Sequence, residues 1–149
     1  MQVILYESRS AAGFGPLTLL RPVFDLRCGA LLLREKLEYR RPSWRVLLAP
    51  RAELAEWVAE RYPGRTPGDA VDEPTLLLSA QVVVDDALLA ALDDVAGDTL
   101  LTSGGSVVGA RVEKRVPDGV RAIASSFGDL GALGTRSRIE VPARVVTRP

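Results

Sequence analysis

The sequence contains no histidine and a single cysteine, and both features narrow the chemistry open to the chain. Without histidine, Ser–His and Cys–His catalysis and histidine-ligated zinc or haem are excluded. Cys28 has no partner for an internal disulfide, and because it lies in an apolar stretch we interpret it as a buried structural thiol in a reducing compartment. Chemistry must therefore come from carboxylates, arginine, lysine or backbone amides.

Net charge and long uninterrupted apolar runs are also lacking. Nineteen basic residues balance nineteen acidic ones, so no net field favours nucleic acid or anionic lipid. The N-terminus lacks the basic leader and apolar core of a signal peptide, and Asp85 and Asp86 interrupt the apolar run at 76–92. We therefore expect a cytoplasmic protein with no nucleic-acid or membrane partner.

Apolar strands alternate with helices along the chain, which predicts one α/β domain over residues 1–149, a three-layer structure with a mainly parallel sheet. The run "QVILY" at 2–6 is typical of a strand buried on both faces of that sheet. The pattern predicts further strands at 44–49 and 75–84, the latter as one strand or two, and helices at 29–40, 51–62 and 87–95. The second helix should bury Leu54, Trp57, Val58 and Tyr62. The "SGG" turn at 103–105 predicts an antiparallel β-hairpin.

The loop after the first strand has the ingredients of a phosphate site. Ligands of open parallel sheets bind at the carboxyl ends of the strands, which this loop must cross. Gly13 and Gly15 would let backbone N–H groups approach a phosphate, although a flexible loop is the alternative interpretation. Arg21 and Arg27 can each grip phosphate oxygens with two parallel hydrogen bonds.

Each charged candidate also has a structural alternative. For the two arginines it is an ion pair with Asp25, Glu35 or Glu7. Asp85 follows a predicted strand and precedes a helix, where a carboxylate can hold magnesium or cap the helix N-terminus.

Several stretches resemble one family. The opening strand, "PLTLLRPVFDLRCGALLLREKLE", "LLLSAQVVVDDALLAAL" and "GDTLLTSGGSVVGARV" together are similar to the N-terminal domain of sugar nucleotidyltransferase-like proteins related to N-acetylglucosamine-1-phosphate uridyltransferase. The resemblance covers most of residues 2–112, and "TLLRPVFDLRCG" is its most specific part.

The resemblance implies a Rossmann-like domain that joins a nucleoside triphosphate to a sugar 1-phosphate and releases pyrophosphate, with Mg2+ bound. It implies that the loop from Ala11 through Leu20 holds the nucleotide phosphates, with Arg21 at the basic position and Gly29 near the next helix. Such proteins usually continue into a left-handed β-helix domain, which agrees with the abrupt end at Arg148 and Pro149 and with the weak, glycine-broken pattern at 125–134. The resemblance is also compatible with a homo-oligomer.

The sequence also departs from the family pattern. Pro22 is followed by Val23 where better-known members have lysine, and "SAQ" at 79–81 has no carboxylate where they place a metal-binding aspartate. Two hypotheses follow. Either Arg21, Arg27 and an acid such as Asp85 replace the missing charges, or the domain binds a nucleotide sugar or packs against a β-helix domain without turnover.

Overall fold

The computed structural model describes residues 1–68, 73–113 and 137–147. Within these ranges the strands are β1 (Gln2–Tyr6), β2 (Arg27–Cys28), β3 (Leu31–Leu32), β4 (Arg45–Ala49), β5 (Thr75–Ser79), β6 (Val82–Val83), β7 (Thr99–Ser103), β8 (Ser106–Val112), β9 (Ser137–Glu140) and β10 (Arg144–Val145). The α-helices are α1 (Leu33–Arg40), α2 (Ala55–Arg61) and α3 (Asp86–Asp93). The segment 125–134 lies outside the described residues.

Six strands form the main sheet in the order β4-β1-β5-β8-β7-β9. The pairs β1–β4, β1–β5 and β7–β9 are parallel, whereas β8 runs antiparallel to both β5 and β7. Strand β1 therefore lies inside the sheet, and all five of its residues are buried. The predicted α/β fold, with a mainly parallel sheet and an antiparallel hairpin, is confirmed.

The core occupies both faces of the sheet, as the continuous apolar strands predict. Val3 and Leu5 of β1 belong to the larger cluster, to which α1, α2 and α3 contribute their buried leucines and valine. Ile4 and Tyr6 point to the opposite face, where they form a second buried cluster with apolar residues of β4, β5, β7 and β8. The chain thus forms a Rossmann-like α/β domain. No helix in the described ranges has the length and apolar character needed to cross a bilayer.

The predicted helix at 29–40 begins four residues later than expected. Gly29 adopts a φ of 74°, which favours glycine, and turns the chain between β2 and β3. The N–H of Leu32 then donates to the Glu35 carboxylate at 2.9 Å, which marks the start of α1. Residues 29–32 were predicted as helix because their leucines continue the apolar pattern, but the glycine turn places them in a small hairpin.

The burial predicted for Trp57 is wrong. A 3-10 turn over Ala52–Leu54 precedes α2, so residues 51–62 do not form one continuous α-helix. Leu54 and Val58 are buried as expected, whereas Trp57 is 39% exposed.

The hairpin predicted at 103–105 is confirmed. Gly104 and Gly105 have φ values of 56° and 79°, and they join β7 to β8 in the two-residue turn that positive φ allows. The predicted strand at 75–84 is divided into β5 and β6, which is one of the two arrangements expected.

Candidate functional site

The carboxyl ends of three parallel strands lie side by side at one edge of the sheet. Tyr6, the last residue of β1, is in register with Ala49 of β4 and Ser79 of β5. The residues that follow these strands therefore converge, as the sequence predicted for a ligand-binding edge. Glu7 continues from β1, and Arg51 lies two residues beyond β4.

Glu7 and Arg51 form a buried ion pair at this edge. The Glu7 side chain is fully buried, and the Arg51 side chain is 15% exposed. One Glu7 oxygen accepts from Arg51 Nη1 at 3.0 Å and from the N–H of Val23 at 2.7 Å. The other oxygen accepts from the N–H of Arg51 at 2.8 Å. Both carboxylate oxygens are therefore used to hold the chain together.

The same pair anchors the long loop that follows β1. Arg51 Nη2 donates to the backbone oxygen of Thr18, and Glu7 binds the N–H of Val23. Residues 19–22 lie between these two anchors, and we call them the tip. The loop is therefore fixed on both sides of the tip, and the tip carries Arg21.

The tip is largely exposed. Leu19 and Leu20 are 69% and 83% exposed, and Arg21 is also exposed. Within the described ranges Arg21 forms no ion pair, because Glu7 pairs with Arg51 and Asp25 pairs with Arg34. The alternative that Arg21 is a structural partner of these carboxylates therefore does not describe this structure.

Two grooves border the tip, and Arg21 and Leu20 line both of them. The apolar groove, about 480 Å3, is lined by Pro16, Leu17, Leu19, Leu20, Arg21 and Leu26. The polar groove, about 530 Å3, is lined by Leu20, Arg21, Asp25, Leu32, Arg34, Glu35, Trp57, Arg61 and Tyr62. Arg21 is therefore held where an anion in either groove can reach it.

A hydrogen-bonded network forms the floor of the polar groove. Asp25 accepts from Arg34 Nε at 2.8 Å and from the Tyr62 hydroxyl at 2.7 Å. Arg34 also pairs with Glu38 at 3.0 Å and lies over the Tyr62 ring at 4.9 Å. Burial opposes the charge of Arg34, but the hydrogen bond to Asp25 and the neighbouring negative groups raise its pKa. Burial, followed by the hydrogen bond to Asp25, raises the pKa of Tyr62. Arg34 is therefore a structural cation.

Gly13 and Gly15 do not line either of the two grooves, although Gly15 directly precedes Pro16 of the apolar groove. Gly13 belongs to a 3-10 turn over Arg9–Phe14, and a Cβ added to it would lie 3.6 Å from the backbone oxygen of Thr147. Gly15 follows this turn directly. Neither glycine is among the described residues that line the apolar or the polar groove. The structure thus brings Arg21, but not the two glycines, to the grooves.

Arg27 and Gly29 lie in the small β2–β3 hairpin. Arg27 is exposed, and its Nη1 donates to the backbone oxygen of Ala30 at 3.3 Å. Gly29 supplies the turn of that hairpin. Neither residue lines the grooves beside Arg21, as far as the described residues show.

Asp85 acts as the N-cap of α3. One of its oxygens accepts from the N–H of Leu88 at 3.0 Å, and the other lies 3.4 Å from Arg144 Nε. Over residues 1–68, 73–113 and 137–147, no three acidic or cysteine side chains come together. Mg2+ in a nucleotide site needs only one or two carboxylates beside the substrate phosphates, so the Mg2+ that the family resemblance implies stays a prediction.

The residues at 79–81, where the resemblance places a metal ligand, are part of a buried amide network. Gln81 accepts from the Ser8 hydroxyl at 2.7 Å and donates to the backbone oxygen of Val146 at 3.1 Å. This network joins the end of β1 to the segment that follows β10. Gln81 therefore connects elements at the sheet edge.

Sequence reasoning missed the roles of Glu7 and Arg51 in fixing the loop. Glu7 was considered only as a partner for Arg21 or Arg27, and Arg51 was assigned to a helix. The signal was present, because both residues follow closely on predicted parallel strands and must reach the same edge.

The family model described as sugar nucleotidyl transferase matches residues 3–147, which is nearly the whole chain. No curated protein matches the chain. The matched range includes the sheet, the loop with its tip, and both grooves.

Proposed function

Because the chain belongs to the sugar nucleotidyl transferase family, we propose that it joins a nucleoside triphosphate to a sugar 1-phosphate and releases pyrophosphate. The observation that carries this proposal is the position of Arg21. It lies on a tip anchored at the carboxyl edge of the parallel strands and forms no ion pair with any residue the structure describes. An exposed guanidinium with no competing carboxylate can bind phosphate oxygens.

The reaction needs positioning and charge neutralisation more than proton transfer. An oxygen of the sugar phosphate attacks the α-phosphorus and forms a new P–O bond while the bond to the β-phosphate breaks. Pyrophosphate leaves with the electron pair of that broken bond. We assign to Arg21 the role of binding phosphate oxygens and offsetting the charge that develops there. This chemistry does not require histidine, which the chain lacks.

Magnesium has no assigned step in this proposal. The candidate Asp85 caps α3 and contacts Arg144, and no three acidic or cysteine side chains of the described residues come together. The assay below includes magnesium as a variable.

The second candidate function is binding without turnover. It is favoured by the use of Glu7, the carboxylate that directly follows β1, in anchoring the loop: its two oxygens accept three hydrogen bonds from the protein itself. In this case the same tip would hold a nucleotide sugar, and pyrophosphate would not form.

Pyrophosphate release tests these two functions against each other. The assay should combine a panel of nucleoside triphosphates with a panel of sugar 1-phosphates, with and without magnesium, for wild type, Arg21→Ala and Arg45→Ala. Arg45 is the matched control, because it is an exposed arginine at the opposite end of β4. We expect at least one pair to release pyrophosphate, and we expect Arg21→Ala to lower kcat/KM by roughly tenfold to a hundredfold while Arg45→Ala leaves it unchanged. Saturable nucleotide binding without pyrophosphate from any pair would favour the binding function.

A further inference from the structure

The polar groove is lined by three arginines and two carboxylates, so its charged side chains carry an excess of one positive charge. Arg34 is already bound to Asp25 and Glu38. Arg21 and Arg61 form no ion pair with any residue in the described ranges. These two guanidinium groups remain available to an anion.

Both carboxylates of the groove lie against Arg34, and neither forms an ion pair with Arg21 or Arg61. Asp25 accepts from Arg34 and from the Tyr62 hydroxyl. Glu35 accepts from the N–H of Leu32 at 2.9 Å and lies 3.6 Å from Arg34. An anion that enters the groove would therefore find Asp25 and Glu35 bound to Arg34, and Arg21 and Arg61 without an ion pair in the described ranges.

The groove also contains a large aromatic side chain that is only partly covered. Trp57 is 39% exposed, although the helical pattern places it on the apolar stripe of α2. Its ring meets Tyr62 in an edge-to-face contact, with centroids 6.4 Å apart. Leu20 from the tip lines the same groove. An indole beside two free guanidinium groups is the combination that recognises a ring carrying a phosphate.

We propose that the polar groove binds a nucleoside phosphate, with the base stacked on Trp57 and the phosphate held by Arg21 and Arg61. The inference rests on the proposed function, because Arg21 binds phosphate in both. It adds Trp57 and Arg61 of α2 as residues that bind the nucleotide. The groove volume of about 530 Å3 is of the size that takes one small ligand. A base is favoured over a bare sugar because a base has a π-face, which stacks on the exposed indole, and a sugar ring has none.

Tryptophan fluorescence tests this inference directly, because the chain contains only two tryptophans. Trp44→Phe leaves Trp57 as the only indole, and Trp57→Phe leaves Trp44, which lies beside Arg41 away from the groove. Each variant is titrated with a nucleoside 5′-monophosphate, a sugar 1-phosphate and inorganic phosphate. We expect saturable quenching in Trp44→Phe by the nucleoside phosphate alone, and no change in Trp57→Phe.

A second pair of variants tests the phosphate contact. In the Trp44→Phe background, Arg61→Ala should weaken binding of the nucleoside phosphate about tenfold or more, and Arg45→Ala should leave it unchanged. Arg61→Lys should restore only part of the affinity, because an ammonium group lacks the bidentate geometry. Unchanged affinity in Arg61→Ala, no quenching, or equal quenching by inorganic phosphate alone would overturn the inference.

The outcomes also separate this inference from the proposed function. Quenching that depends on Arg61, without pyrophosphate release from any substrate pair, would support the groove and contradict the transferase activity. Pyrophosphate release that depends on Arg21, with no response from Trp57, would support the activity and contradict the groove.

Discussion

Two arginines lie at the same edge of the sheet, and they are used in opposite ways. Arg51 is mostly buried, pairs with a fully buried carboxylate and binds the backbone of Thr18. Arg21 is exposed on the segment that Arg51 and Glu7 hold in place, and no described carboxylate pairs with it. An arginine at the carboxyl edge of the sheet is therefore not a binding residue by its position alone. The Glu7–Arg51 pair positions the loop, and Arg21 is left free for a ligand.

Removing the buried carboxylate should produce the largest effect. Glu7→Ala leaves the Arg51 guanidinium and two backbone N–H groups without their acceptor, and we expect it to lower the free energy of unfolding by about 3–5 kcal/mol. Urea denaturation measures this. Glu53→Ala is the control, because that exposed carboxylate lies 3.8 Å from the same arginine and should change stability by less than about 1 kcal/mol. Equal effects of the two substitutions would mean that the Glu7–Arg51 pair does not anchor the loop.

High pH should weaken the same buried region through Tyr6, which precedes Glu7. Burial raises the pKa of Tyr6 above its ordinary value of 10.0, so the unfolded chain loses this proton at lower pH than the folded chain. The stabilisation is therefore complete below about pH 10 and is lost as pH rises further. Between about pH 9 and about pH 11 we expect a loss of roughly 1–1.5 kcal/mol attributable to this residue.

Chemical denaturation of wild type and Tyr6→Phe across that pH range isolates the contribution of Tyr6. The variant has no phenol to ionise, so its stability should fall less steeply than that of wild type. Parallel pH dependences would show that ionisation of Tyr6 does not limit stability.

The smallest of these effects separates the two roles considered for Asp85. Asp85→Ala removes the cap of α3 and should cost about 1 kcal/mol of stability. Asp85→Asn keeps a good capping side chain and should cost only a few tenths of a kcal/mol. If Asp85 held magnesium, the asparagine variant would instead lose a magnesium-dependent signal in a titration with the metal. Thermal unfolding and that titration together distinguish the cap from the ligand.

The parts of the fold that were predicted correctly are those where local pattern and tertiary packing agree. The apolar run that follows Gln2 is typical of a strand covered on both faces, and two successive glycines fit the turn at 104–105. The start of α1 was missed because a glycine turn interrupts an apolar pattern that looks continuous in the sequence. The exposure of Trp57 was missed because an apolar residue next to the buried Val58 fits the same helical pattern whether its ring is covered or not.

The candidate site was less predictable than the fold, for a physical reason. Arg21 was identified because its loop must cross the edge of the sheet. Arg21 is free of ion pairs because nearby carboxylates are bound to other arginines, as Asp25 is to Arg34. The polar groove further depends on Tyr62, which is 37 residues from Asp25 along the chain. Such competition among long-range partners has no local signature in the sequence.

The most direct test of the central claim is calorimetric titration of a nucleoside triphosphate with magnesium into wild type and Arg21→Ala. We expect the substitution to weaken binding by about 1.5–3 kcal/mol, because one charge-assisted contact to phosphate is lost. We also expect the free energy of unfolding to change by less than about 0.5 kcal/mol, because Arg21 has no described structural partner. Equal affinity of the two proteins, or a loss of stability large enough to explain weaker binding, would contradict the account.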